Sequence, residues 1–205
     1  TYLLFSILCF TIASLLLVEV WKPLWGYSYN WHLFRLQLVE GLTFSIALLL
    51  PCFLLCHLQL AHKKWLFSGL LMILFSIVIS IDGFDKISSL LMQVSLFGAF
   101  LITAYGCFYL RLKAWLIMGA TLIVLMISLI FDVSFQDQYF FPSFTLIILS
   151  VLVELITDMK TVQLERNKAQ LISGQLEIAL LRKNIQPHFI LNTLTSIEYW
   201  IEEDA

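Results

Sequence analysis

Charge is scarce in this sequence. Of its 205 residues only 13% are Asp, Glu, Lys or Arg, while 60% are hydrophobic; a soluble globular chain carries about a quarter charged. A water-facing surface cannot be made from so little, and the mean hydropathy of +0.92 excludes a soluble bundle and a disordered chain alike. A basic excess is also missing: 12 Lys and Arg stand against 14 Asp and Glu, which leaves no electrostatic footprint for nucleic acid. The four cysteines, Cys9, Cys52, Cys56 and Cys107, all fall within apolar runs, where thiols act as small hydrophobes. No extracellular pair suggests a disulfide framework. The first apolar segment lacks a basic n-region and a small-residue cleavage site, so it reads as a span and not as a signal peptide. The chain opens on Thr1 and stops after Asp204 and Ala205 without a structural stop signal, and it is expected to be a fragment.

What is present is apolar length. About 20 apolar residues cover the hydrocarbon core as a helix, and six runs meet or approach that: Tyr2 to Val20, Leu36 to Leu60, Trp65 to Ile81, Ile87 to Leu110, Trp115 to Phe131 and Phe140 to Ile156. The runs are apolar all round and do not alternate as barrel strands do. An all-α membrane protein with six transmembrane helices is expected. Lys63, Lys64, Arg111 and Lys113 share one side with the Lys160, Arg166, Lys168 tail, and the basic side is the inner one. The C-terminus is therefore expected in the cytoplasm, in a multi-pass protein of the cytoplasmic membrane.

The first outer loop, Trp21 to Arg35, is crowded with Trp21, Trp25, Tyr27, Tyr29 and Trp31. These rings suit the headgroup layer, with a ligand lid as the alternative. Pro51 interrupts the second span and suggests a kink. Glu19, Glu40 and Glu154 lie at span ends, where each can snorkel or meet interfacial water. No charge falls at the midplane, where a transporter places its site, although Gln93 and scattered Ser, Thr and Gly positions allow a modest polar path. Cys52 and Cys56 share a helix face with His57 next in sequence, but two thiols fall short of a metal's ligand set, and no metal site is expected.

At Asp158 the composition changes, and from there to the end five Lys or Arg and seven Asp or Glu appear. Leu164, Leu171, Ile178 and Ile185 recur every seven residues, the spacing of a coiled-coil seam, so a homodimer is expected. The companion seam of Asn167, Gly174 and Leu181 is mixed, and Gly174 costs about 1 kcal/mol relative to Ala. A marginal coil joined directly to the last span suits a two-state signalling element.

The stretch from Leu181 to Ile197 reads LRKNIQPHFILNTLTSI. Pro187 removes a backbone donor and is expected to kink or restart the helix just ahead of His188. Phe189, Ile190, Leu194 and Ile197 add helical-period anchors. A neutral imidazole is nucleophilic near pH 7, so His188 is a candidate phosphoacceptor, set against an ordinary structural histidine. This segment resembles the phosphoacceptor motif of sensor histidine kinases that runs LKAQINPHFLFNTLNSI. The two agree at Leu181, Ile185, Pro187, His188, Phe189, Asn192, Thr193, Leu194, Ser196 and Ile197, and differ at Lys183, Asn184, Leu191 and Thr195 among others.

The resemblance implies phosphorylation of His188 by ATP and transfer of the phosphoryl group to an aspartate of a response regulator, with Asn192 orienting the ring. It also implies that ATP and Mg²⁺ bind in a downstream domain, because no Gly-rich lid or nucleotide box occurs here and this fragment binds no cofactor itself. In layout the spans are similar to the seven-span receptors with diverse intracellular signalling modules, with the first span and an extracellular domain missing; the stimulus ligand is unknown. The expected organisation is thus a transmembrane sensor bundle at 1–157, a cytoplasmic coiled-coil linker at 158–186 and the start of a dimerisation and histidine phosphotransfer domain at 187–205. The alternatives are a transporter or channel with a regulatory cytoplasmic helix, and a receptor without enzymatic activity that recruits a partner through its coil.

Overall fold

The computed structural model describes residues 2–25, 31–60, 63–81, 83–108, 114–132 and 134–203, with the side chains at 22–25, 63, 136–137 and 184–188 outside the description. The described residues are helical and contain no strand. In chain order the helices are α1 (Tyr2–Trp25), α2 (His32–His57), α3 (Lys63–Ser80), α4 (Phe84–Phe108), α5 (Trp115–Phe131), a single π-helical turn (Phe135–Tyr139) and α6 (Phe140–Glu203). Four of them, α1, α2, α4 and the first part of α6, are long and apolar enough to cross a membrane; α3 and α5 are shorter apolar helices. At 17 residues α5 rises about 26 Å, just under the roughly 30 Å hydrocarbon thickness.

The chain divides into two compact units, Thr1–Glu154 and Leu155–Ala205. In the first, α2 and α4 form the centre, with α1 and α3 packed on α2 and α5 on α4. Lipid offers apolar side chains no drive to associate, so close packing has to hold helices together, and small residues permit it. Ala47 of α2 and Ser95 and Ala99 of α4 are fully buried beside Ile46, Leu50, Phe53, Leu91 and Leu96. On α1, Leu8, Ile12 and Leu15 turn inward while Leu3, Phe10 and Leu17 remain about 70% exposed. This inside-out pattern suits a bundle whose solvent is hydrocarbon. α6 contributes Phe140, Phe144, Ile147 and Val151 to the core, a stripe at spacings of three and four.

Several ends differ from expectation. α1 continues through Trp21 to Trp25, and Trp31 is already the N-terminal cap of α2, so the aromatic loop between them is much shorter than Trp21 to Arg35; Tyr27 and Tyr29 lie outside the described residues. α2 runs through Pro51 and ends at His57. There Gln59 takes a left-handed φ of 52°, Leu58 donates its N–H to the Leu54 carbonyl and Leu60 donates to Leu55. This reversal is a Schellman close. Its accompanying apolar contact is present too, because Leu55, Leu58 and Leu60 join Cys107 and Ala114 in one buried cluster.

The second unit is the continuation of α6. The helix is unbroken from Phe140 to Glu203, so it does not restart at Pro187. A proline removes one i to i−4 bond at a local cost of about 3 kcal/mol, and the long helical stretches on either side carry the backbone across it. The seam residues Leu164, Leu171 and Ile178 are exposed, as are Leu181 of the companion seam and Phe189, Ile190, Leu194 and Ile197; the side chain of Ile185 lies outside the described residues.

Candidate functional site

His188 and Asn192 occupy positions i and i+4 of α6, so they share one helix face. The side chain of His188 lies outside the described residues. Asn192 shares an exposed, open face with Thr195, Ser196, Tyr199 and Trp200. The hydroxyls around it turn back on their own helix: Thr193 donates to the Phe189 carbonyl at 2.7 Å, Thr195 to Leu191 at 2.7 Å and Ser196 to Asn192 at 2.8 Å. Each hydroxyl proton is therefore spent on a carbonyl one turn earlier, a habit of Ser and Thr in helices. On this face the Tyr199 and Trp200 rings and the hydroxyl lone pairs are left to address an incoming ligand.

Polar chemistry also collects inside the bundle, in three places that hydropathy did not join. On α1 and α2, Arg35 forms an ion pair with Glu19 and donates from Nε to the Val18 carbonyl at 3.2 Å. Between α4 and α5, the Ser89 hydroxyl and the Gln93 amide both donate to Oδ1 of Asp132, at 2.9 and 3.1 Å. Asp132 caps the C-terminus of α5 with a φ of 41°. Nearby in sequence, Ser95 and Ser128 have buried hydroxyl oxygens with no hydrogen-bond partner.

The third place joins His57 of α2 to Glu154 of α6, with Nε2 and Oε1 3.3 Å apart. Side-chain exposures of 9% and 12% place both groups inside the bundle. Glu154 therefore does not snorkel as the sequence suggested. Its stem lies on the inward side of α6, where the carboxylate meets the His57 ring. Phe53 stacks against that ring at 5.5 Å and 11°. His57 is thus engaged by a carboxylate and an aromatic face and not by Cys52 and Cys56. Among the described residues no group of three or more His, Cys, Asp or Glu is gathered to hold a metal. The signal for the pair was available in part, since an ionisable residue within a span calls for a named partner; which helix supplies it is a matter of tertiary packing.

No protein-family model matches the chain, and no characterised protein or solved structure matches it.

Proposed function

We propose that this chain is the membrane sensor and the beginning of the dimerisation domain of a sensor histidine kinase. The observation that carries the reading is the segment Leu181 to Ile197, with its Pro187, His188, Phe189 and Asn192, set on the same uninterrupted helix that starts as a core helix of the bundle. In this reading α3 and α5 also cross, giving six spans in the cytoplasmic membrane with the C-terminus in the cytoplasm, and the exposed seam of Leu164, Leu171 and Ile178 pairs with a second copy. A downstream domain holds ATP and Mg²⁺. A ring nitrogen of His188 attacks the γ-phosphorus, ADP leaves, and the phosphoryl group passes to an aspartate of a response regulator. Asn192, one turn on, positions the ring. Phosphoryl transfer rests chiefly on positioning and charge stabilisation, and this chain supplies the acceptor.

The test uses the complete coding sequence in native membranes with radiolabelled ATP. Acid-labile phosphate is expected on the protein and is lost in His188→Gln. Label that persists in that variant removes the site, and a coding sequence without an ATP-binding module removes the kinase.

A second reading, a transporter or channel with a regulatory helix, draws on the hydroxyls of Ser95 and Ser128 buried without partners near the polar group of Ser89, Gln93 and Asp132. It predicts solute flux in vesicles that is indifferent to His188→Gln.

A further inference from the structure

Oxygens outnumber protons where α4 begins and α5 stops. Asp132 caps the C-terminus of α5, with Ser128 one turn before it on the same face; Ser89 and Gln93 come from the first three turns of α4. The Gln93 amide has two protons and three acceptors around its Nε2: Oδ1 of Asp132 at 3.1 Å, the Ser128 carbonyl at 3.4 Å and the Ser89 oxygen at 3.4 Å. The Ser89 hydroxyl gives its one proton to the same Oδ1. The Ser128 hydroxyl oxygen is buried and has no hydrogen-bond partner among the described residues, whereas the buried hydroxyls of Thr103 and Thr121 turn back to carbonyls of their own helices.

A buried hydroxyl left unpaired costs stability, and a carboxylate at the carbonyl end of a helix meets the wrong end of its dipole. A cation answers both. A carboxylate, two hydroxyls, an amide oxygen and a backbone carbonyl are hard ligands and suit a hard cation; none of them is the thiolate or imidazole that softer metals select. One carboxylate balances one positive charge. Asp85 and Lys86, at the exposed start of α4, oppose each other and leave that balance unchanged, while a dication would place net charge beside the fully buried Ser128, where it is costly.

We infer that Asp132, Ser128, Ser89 and Gln93 form a binding site for a monovalent hard cation, and that sodium is the ion it takes. The Ser89 and Asp132 oxygens stand 2.9 Å apart, a tight spacing that favours the smaller of the common monovalent ions. To receive it the Gln93 amide turns end for end, so that Oε1 replaces Nε2 toward Asp132 and the backbone stays in place. Asp132 is exposed and Ser128 is not, so the ion enters from the Asp132 side. Once bound, it bridges α4 to the close of α5, just ahead of the π-helical turn that leads into α6. Interrupted helices in membranes hold sodium with their carbonyl ends in the same way. The inference needs no nucleotide and does not rest on the kinase reading. It uses the polar group named in the transporter reading but asserts binding alone, so a chain that moves no solute still shows it.

The test follows thermal unfolding of the 205-residue chain in detergent by circular dichroism, in sodium, potassium or choline chloride at one ionic strength. Sodium at a hundred times its half-saturating concentration is expected to raise Tm by about 5 °C, and potassium and choline are expected to leave it in place. Asp132→Asn keeps the hydrogen bonds of the group, so it is expected to melt with the parent in choline and to lose the sodium rise. Ser128→Ala removes the unpaired hydroxyl; it is expected to be no less stable in choline and to need about tenfold more sodium for the same rise. A parent that ignores sodium overturns the site. So does a rise that potassium or choline reproduces, which is an effect of salt in general, or a sodium rise that persists in Asp132→Asn. A Ser128→Ala variant that answers sodium as the parent does removes Ser128 from the cage.

Discussion

Ser89 of α4 donates its hydroxyl proton to Oδ1 of Asp132, 2.9 Å away and 43 residues along the chain. Gln93, one turn after Ser89, donates to the same oxygen at 3.1 Å, so one carboxylate oxygen ties the start of α4 to the end of α5. Asp132 also adopts a φ of 41°, a conformation that Asn and Asp tolerate better than most residues. Asp132→Asn keeps both the acceptor and the backbone preference, and its thermal unfolding in sodium-free detergent is expected to match the parent within about 0.5 kcal/mol. Asp132→Ala loses both and is expected to cost about 1–2 kcal/mol. Equal behaviour of the two variants would show that the cap does not matter.

This contact shows where reading from sequence stops. Runs of apolar residues locate the helices because bilayer thickness fixes how many residues must be apolar, and the expected starts of the fifth and sixth spans at Trp115 and Phe140 match α5 and α6. Hydropathy carries no record of which helix lies beside which. Glu154 and His57, 97 residues apart, were read separately, one as a snorkelling carboxylate and the other as a neighbour of two cysteines. The restart expected at Pro187 is absent for the opposite reason, because a strong local rule is outweighed by the helix on both sides. The π-helical turn at Phe135–Tyr139 had no signal in apolar spacing, since it is a backbone adjustment between α5 and α6.

Gln59 takes the left-handed position that closes α2, at φ 52°, where glycine is the usual occupant because it has no Cβ to clash. Gln59 is exposed, so replacing it removes little packing. Gln59→Gly is expected to raise stability by about 1 kcal/mol, seen as a higher Tm in detergent with unchanged helical circular dichroism. Gln59→Val, branched at Cβ, is expected to lower it. A Val variant as stable as the Gly variant would contradict the left-handed close.

Arg35 reaches α1 in two directions at once, to the Glu19 carboxylate and to the Val18 carbonyl through Nε. Its planar fork permits this, and a lysine ammonium on a flexible stem does not reproduce it. Side-chain exposures of 14% and 29% leave the pair partly open to solvent, which moderates its worth. Arg35→Ala is expected to cost about 1–2 kcal/mol, and Arg35→Lys to recover less than half of that. The cost is expected to appear first as protease cleavage or fast amide exchange in α1, whose apolar surface is otherwise largely turned outward. Full rescue by lysine would show that charge alone is at work and that the contact to Val18 carries nothing.

Gly174 sits on the exposed face of α6 with Asn167, Leu171 and Ile178. A Cβ built there meets nothing within 4 Å, so alanine fits without displacing any neighbour. Because alanine is about 1 kcal/mol better than glycine inside a helix, Gly174→Ala stiffens α6 between Leu171 and Ile178, two residues of the seven-residue seam that are 68% and 56% exposed. If that seam pairs with a second copy, part of the cost of ordering it has been removed before the copies meet. The measurement is disulfide crosslinking of a cysteine placed at Ile178, in a background with Cys9, Cys52, Cys56 and Cys107 replaced by alanine. A larger crosslinked fraction is expected in Gly174→Ala than in the parent at equal protein-to-lipid ratio. A chain that stays wholly monomeric in both removes self-association through this face, and with it the simplest way for α6 to carry a signal as one of a pair.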